Sequence, residues 1–80
     1  MNLTCDTLDV VQLARVRRLT KSGAAKAIRI GAGLSLPELA AAVGVSPVTV
    51  WRWEGGVRVP HGARALAYGR LLDRLSGVQT

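Results

Sequence analysis

The sequence predicts an all-α chain of five short helices, and three observations carry the prediction. Strand signals are nearly absent, because β-branched residues are scattered and strict apolar/polar alternation is not sustained anywhere. Helix start and stop residues recur at short intervals, among them Ser35, Ser46 and the glycines at 23, 33, 44, 55 and 56. Near the end, Tyr68, Leu71, Leu72 and Leu75 follow an i, i+3, i+4, i+7 spacing, which lines one face of a helix.

Each element has its own local reason. Asp6 is a candidate cap for a first helix through Thr20, with Asp9 in its first turn at the positive end of the helix dipole. The apolar face of this helix is broad: Leu8, Val11, Leu13, Val16 and Leu19. Gly23 offers a stop and Ser22 a new cap, and a second helix fits Ala24 to Ala32 with Gly33 able to take positive φ at its end. Ser35-Leu36-Pro37-Glu38 is a capping box, Ser at the cap and Glu three residues on, with Pro tolerated in the first turn. The third helix is short because Gly44 follows Val43. Ser46-Pro47 starts a fourth, which runs to about Glu54 and stops at Gly55-Gly56. Val57 to Pro60 is a loop, since the residue before a proline is pushed out of helical conformation. The last helix spans about Gly62 to Leu75.

Composition narrows the function. Eighty residues make one domain, 1–80, in which only about 60% of the unfolded chain's surface becomes buried, too little for a large active-site cleft. Hydrophobic residues are 49% but aromatics 4% with no Phe, so the core is expected to be Leu, Val and Ala. Eleven Lys/Arg against five Asp/Glu give +6, a balance that favours polyanionic partners. The single cysteine, Cys5, excludes an internal disulfide and reads as an inert thiol in a reducing compartment; the single histidine, His61, excludes a Cys/His metal cluster and reads as a surface residue. No signal pattern opens the chain, and its longest aliphatic run, Leu39 to Val43, is five residues against the roughly 20 of a membrane span. A cytoplasmic location follows as the expectation. Gly31-Ala32-Gly33 lacks the third glycine and the preceding strand of a dinucleotide loop, and no nucleophile, base and acid can be assembled. The chain therefore reads as a non-enzyme without cofactor.

Function concentrates in residues 35–55. Val43-Gly44-Val45-Ser46 is too tight a connection for a coiled-coil hairpin and needs a residue with φ above zero, which Gly44 supplies. A short helix, a glycine turn and a second capped helix describe a helix-turn-helix. Leu39, Ala40, Val45, Val50 and Trp53 have the spacing of an inward face, which leaves Pro47, Val48, Thr49, Trp51 and Arg52 outward. Arg52 offers a two-point fork to guanine O6/N7, Thr49 reaches a base edge or a phosphate, and Val48 suits a thymine methyl. Trp51 either meets DNA or packs on a neighbouring side chain or a dimer partner. The helix N-terminus at Ser46 directs backbone N–H groups toward phosphate, Ser35 is a further candidate backbone contact, and Arg58 in the following loop is placed to grip the backbone. Arg15, Arg17, Arg18, Lys21, Lys26 and Arg29 occur with no acid among them, and Arg17, Lys21 and Lys26 are the candidate backbone contacts of that run.

The stretch RIGAGLSLPELAAAVGVSPVTVWRWEGGVRVP, Arg29 to Pro60, resembles the lambda repressor/Cro-type (XRE-like) helix-turn-helix family. Its marks are G-L-S-x-x-E-L-A, then V-G-V-S, then W-E-G-G leading to a proline. The resemblance implies a compact helical domain that places the helix from Pro47 in the DNA major groove. It also implies transcriptional control, in the manner of a small Cro-like or phage repressor. It further implies that Arg29 pairs with Glu54 at the end of the recognition helix, a structural role for both. Leu36 stands where a phosphate-binding Gln is common, Gly55 replaces the usual Asn, and the first helix looks like an addition to the basic pattern. Two other functions stay open: an antitoxin-type interaction module with autoregulatory DNA binding, and a DNA-bending recombination directionality factor. The last helix carries more apolar side chains than one small core requires, Leu66, Tyr68, Leu71, Leu72 and Leu75, so either part of that set supports a weak homodimer or all five are core.

Overall fold

The computed structural model describes residues 7–77. They form five helices and, among the described residues, no strand: α1 (Thr7–Ser22), α2 (Ala24–Gly31), α3 (Leu36–Val43), α4 (Pro47–Glu54) and α5 (Gly62–Leu75). The all-α, five-helix class is as expected, with end shifts of one or two residues in α1 and α2. Cys5 and the expected cap Asp6 lie outside the described residues. No helix among the described residues is long and apolar enough to cross a membrane.

Local chemistry sets the boundaries. At α3 the Ser35 hydroxyl accepts from the Glu38 amide at 3.2 Å, while Glu38 Oε1 accepts from the Ser35 amide at 2.9 Å. The Glu38 carboxyl is held below its usual pKa, first by the Ser35 backbone N–H that it accepts from and next by the Ser35 side chain beside it. Between α1 and α2 the cap is Gly23 rather than Ser22. Its φ of +88° breaks the helix with one residue, and the Ser22 hydroxyl accepts only a long bond, 3.3 Å, from the Ala24 amide.

The core joins all five helices: Val16, Ala25, Leu39, Ala40, Val43, Val50, Trp53, Tyr68 and Leu72. Most of it is Leu, Val and Ala, as expected, but two aromatic residues join them, Trp53 from the expected inward face and Tyr68. Trp53 and Tyr68 stack at a tilt, with ring centroids 4.9 Å apart. Tyr68 is wholly buried and its hydroxyl has no hydrogen-bond partner among the described residues; burial pushes that phenol far above its usual pKa.

α5 packs on α1, α2 and α3. It meets α1 where Gly69 lies under Val16: a Cβ at residue 69 would fall 2.5 Å from Val16 Cγ2 and 3.0 Å from Gln12 Nε2. Arg15 reaches Asp73 across the same contact, Nη2 to Oδ1 at 2.6 Å, and Arg17 Nε donates to the Pro60 carbonyl at 3.0 Å.

The structure decides how much of the α1 face is buried and corrects the expectation for α5. Of the broad apolar face of α1 only Val16 is fully buried, joined by Thr20; Leu13 and Leu19 are half-buried, and Leu8 and Val11 stay exposed at 77% and 58%. The first turns of α1 instead border an open groove toward Leu66 and Arg70 of α5. The apolar surplus of α5 shrinks as well. Tyr68 and Leu72 are completely buried inside the chain and cannot form a homodimer face; Leu71 and Leu75 are half-buried against the core.

Candidate nucleic-acid interface

Residues 35–55 fold as helix, turn and helix. Gly44 ends α3 at φ +91°, and the amides of Gly44 and Val45 both donate to the Ala40 carbonyl, at 2.8 and 3.1 Å. Ala40 is buried where α3 and α4 cross, and Leu39, Val50 and Trp53 are buried beside it, while Val45 is half-buried. Ser46 caps α4 by accepting from the Thr49 amide at 3.2 Å, and its hydroxyl also bonds the Thr49 hydroxyl at 2.9 Å. Thr49 is consequently half-buried and its hydroxyl already shared. The opposite face of α4 presents Pro47, Val48, Trp51 and Arg52 to solvent, with Val48 and Trp51 at 51% and 58% exposure. Large exposed apolar groups beside an arginine on one helix face suit base edges and thymine methyls better than they suit bulk water.

The end of α4 is fastened to the body through Glu54. Arg29 of α2 donates from Nε to Glu54 Oε2 at 2.6 Å and from Nη2 to Oε1 at 3.1 Å; Nη1 donates to the Leu34 carbonyl at 2.8 Å. Both side chains are buried, at 11% and 3% exposure. The bonds to Glu54 outweigh the cost of burial and hold the guanidinium pKa above its usual value. Of the six-residue basic run, then, Arg29 serves the interior and Arg15 is spent on Asp73.

The remaining cations fall on both sides of α4. Lys26 and Leu36 border a cleft with Trp51, next to Ser35 at the α3 cap. On the other side Arg58 stands between two clefts, one shared with Thr49, Arg52 and His61 and one shared with Arg17 and Lys21 of α1. His61 is exposed, as expected, yet it borders the same cleft as Arg52 and Arg58, with Nδ1 3.3 Å from the Val59 carbonyl. Sequence reasoning also passed over Arg64. From α5 it lies over Gly44 and donates from Nη1 to the Val43 carbonyl at 3.5 Å, placing positive charge at the C-terminus of α3. Neither role has a local signal, because both arise where α5 starts beside the turn.

A family model described as Helix-turn-helix domain matches residues 10–80. No curated protein and no solved structure matches the chain. A glycine turn between two capped helices, an exposed polar and apolar face on the second, and a family match reaching from α1 past the end of α5 lead to one assignment: the chain belongs to the helix-turn-helix domain family of DNA-binding proteins.

Proposed function

We propose that the protein is a sequence-specific regulator of transcription that binds double-stranded DNA and acts by occupying an operator, as a small Cro-like or phage repressor does. The observation that carries this reading is the solvent face of α4: Val48, Trp51 and Arg52 stand exposed on a helix whose end is held by the buried Arg29–Glu54 pair. A rigid helix of that kind offers preorganised contacts to base edges. Arg52 takes guanine, Pro47 and Val48 meet thymine methyls, and Trp51 extends the contact toward Lys26. The amides at the Ser35 and Ser46 helix starts, with Lys26, take phosphates. Thr49, its hydroxyl shared with Ser46, adds a phosphate contact rather than a base contact.

Two copies read a palindrome when their recognition helices lie roughly 34 Å apart, one turn of DNA. Self-association through α5 would have to use Leu66, Leu71 and Leu75, the members of its apolar set that remain half-buried. Selection of bound sequences from random duplex DNA tests the function directly. A defined consensus is the expected result, and recovery of unrelated sequences at equal affinity contradicts it.

A further inference from the structure

The two clefts that meet at Arg58 differ in what a recognition helix needs from them. One, of about 230 Å³, runs beside α4 and is bordered by Arg52. The other, of about 330 Å³, lies between α1 and the 55–60 loop, and Arg17, Lys21 and Arg58 line it with Gly56 and Pro60. Among the described residues no acid lines either one. Arg17 and Lys21 lie four residues apart on α1 and so share a face of that helix. Arg17 is also anchored: its Nε–H donates to the Pro60 carbonyl at 3.0 Å, so part of the entropy of fixing its guanidinium is already spent. Arg18, the next residue, lines neither cleft. Three cations around one concavity repel each other and gain when a dense anion enters between them.

We infer that this cleft holds a backbone phosphate of the DNA strand that continues past the end of α4, which makes α1 a second DNA-binding element. The inference rests on the proposed DNA-binding role of α4 and adds to it. Arg58, shared by both clefts, marks the passage of the strand from the recognition helix to α1. The phosphodiester oxygens accept from Lys21 Nζ, from the guanidinium of Arg58 and from the Arg17 donors that Pro60 leaves over. A contact of this kind reads no bases. It lengthens the contacted duplex and raises affinity for selected and unselected sequences alike.

The test measures binding of the full chain to its selected duplex and to a scrambled one across a salt series, with Lys21→Gln as the main variant. The Lys21 side chain is exposed and makes no hydrogen bond among the described residues, so its loss leaves the fold intact; Arg17→Gln, which also loses the Pro60 bond, is read beside its melting temperature. The control is Arg70→Gln, which removes an equal charge from the exposed side of α5 that faces the α1 groove. Lys21→Gln is expected to flatten the slope of log K against log[salt], by at most about 0.9, on both duplexes equally. Arg70→Gln is expected to leave the slope in place. Ethylation of single phosphates should identify a position flanking the selected consensus that weakens the native protein more than it weakens Lys21→Gln. Pyrophosphate, titrated at constant ionic strength, should compete only as salt does. An unchanged slope in Lys21→Gln, or an equal loss in Arg70→Gln, would overturn the inference; saturable pyrophosphate binding would assign the cleft to a free phosphorylated ligand instead. If Arg52→Ala left sequence preference unchanged, the reading of α4 would fall rather than that of α1.

Discussion

Arg29 and Glu54 meet in a buried two-point ion pair, with contacts of 2.6 and 3.1 Å, directly behind the exposed face of α4. The pair ties the last residue of α4 to α2, and the third guanidinium bond, to the Leu34 carbonyl, extends the tie to the segment that leads into α3. Removing one partner leaves a charge buried without compensation, a loss of about 3–5 kcal/mol, whereas removing both leaves none. Arg29→Met and Glu54→Gln should each lower the melting temperature, and the double change should cost less than the two losses summed. Calorimetry on the four proteins of that cycle measures the coupling. Strict additivity would mean the pair contributes nothing as a pair.

Gly69 controls how closely α1 approaches α5. Alanine in mid-helix gains up to about 1 kcal/mol over glycine in propensity. Here its methyl would sit 2.5 Å from Val16 Cγ2, on a β-branched side chain with little rotamer freedom. Overpacking of this sort costs about 1–3 kcal/mol and outweighs the propensity gain. Gly69→Ala should therefore destabilise. Gly69→Ala combined with Val16→Ala should recover part of the loss, because the smaller residue vacates the space. Denaturant midpoints read the effect, and a Gly69→Ala protein more stable than the native one would show that the crossing relaxes freely.

Gly44 is constrained twice. Its φ of +91° is strained for any other residue, and a Cβ there would lie 2.6 Å from Arg64 Nη1. The second obstacle yields easily, since it is the tip of a long side chain; the first does not. Gly44→Val should lose about 1–3 kcal/mol and weaken DNA binding through misplacement of α4. A Gly44→Val protein with native stability and native binding would contradict the turn geometry.

Tyr68, the one tyrosine in the chain, supplies a pH dependence. Its folded-state pKa is raised, mainly by burial and next by the nearby Glu54 charge. The contribution of the neutral phenol is thus fully present below the unfolded value, about 10, and lost as pH rises above it, by up to about 1.4 kcal/mol per pH unit. Tyr68→Phe should remove this dependence. At neutral pH it should be close to neutral in stability, because the hydroxyl it deletes has no partner among the described residues. Urea melts at pH 7 and pH 11 make the comparison, and a clear loss at pH 7 would show that the hydroxyl is bonded after all.

The helices were legible because their signals are local. Ser35 and Glu38 bond each other across one turn, Ser46 caps the helix it precedes, and Gly44 takes the turn that only glycine accepts easily. The outward set of α4 was legible for a related reason: once Val50 and Trp53 are buried, helical periodicity turns Val48, Trp51 and Arg52 to solvent. What the sequence did not disclose depends on contacts between distant segments. The broad apolar face of α1 does not say which of its residues are core, and Leu8 and Val11 stay exposed; Tyr68 and Leu72 look available on the spacing of α5 alone, yet both are fully buried. Arg15 looks like surface charge until Asp73 meets it. The convergence of Arg17 and Lys21 with Arg58 likewise requires the 55–60 loop to fold back over α1, which no spacing in the chain encodes.

The base-reading role of α4 is tested most directly by Arg52→Ala, assayed by repeating the selection from random duplex DNA and by measuring affinity for the native consensus. Arg52 is exposed on the solvent face of α4 and leaves the core undisturbed when shortened. Loss of a two-point arginine–guanine contact should weaken the consensus site by about 1–3 kcal/mol and relax preference at one or two base pairs, leaving the rest of the consensus in place. An Arg52→Ala protein that selects the same consensus with the same affinity would contradict the assignment of α4 as the helix that reads the operator.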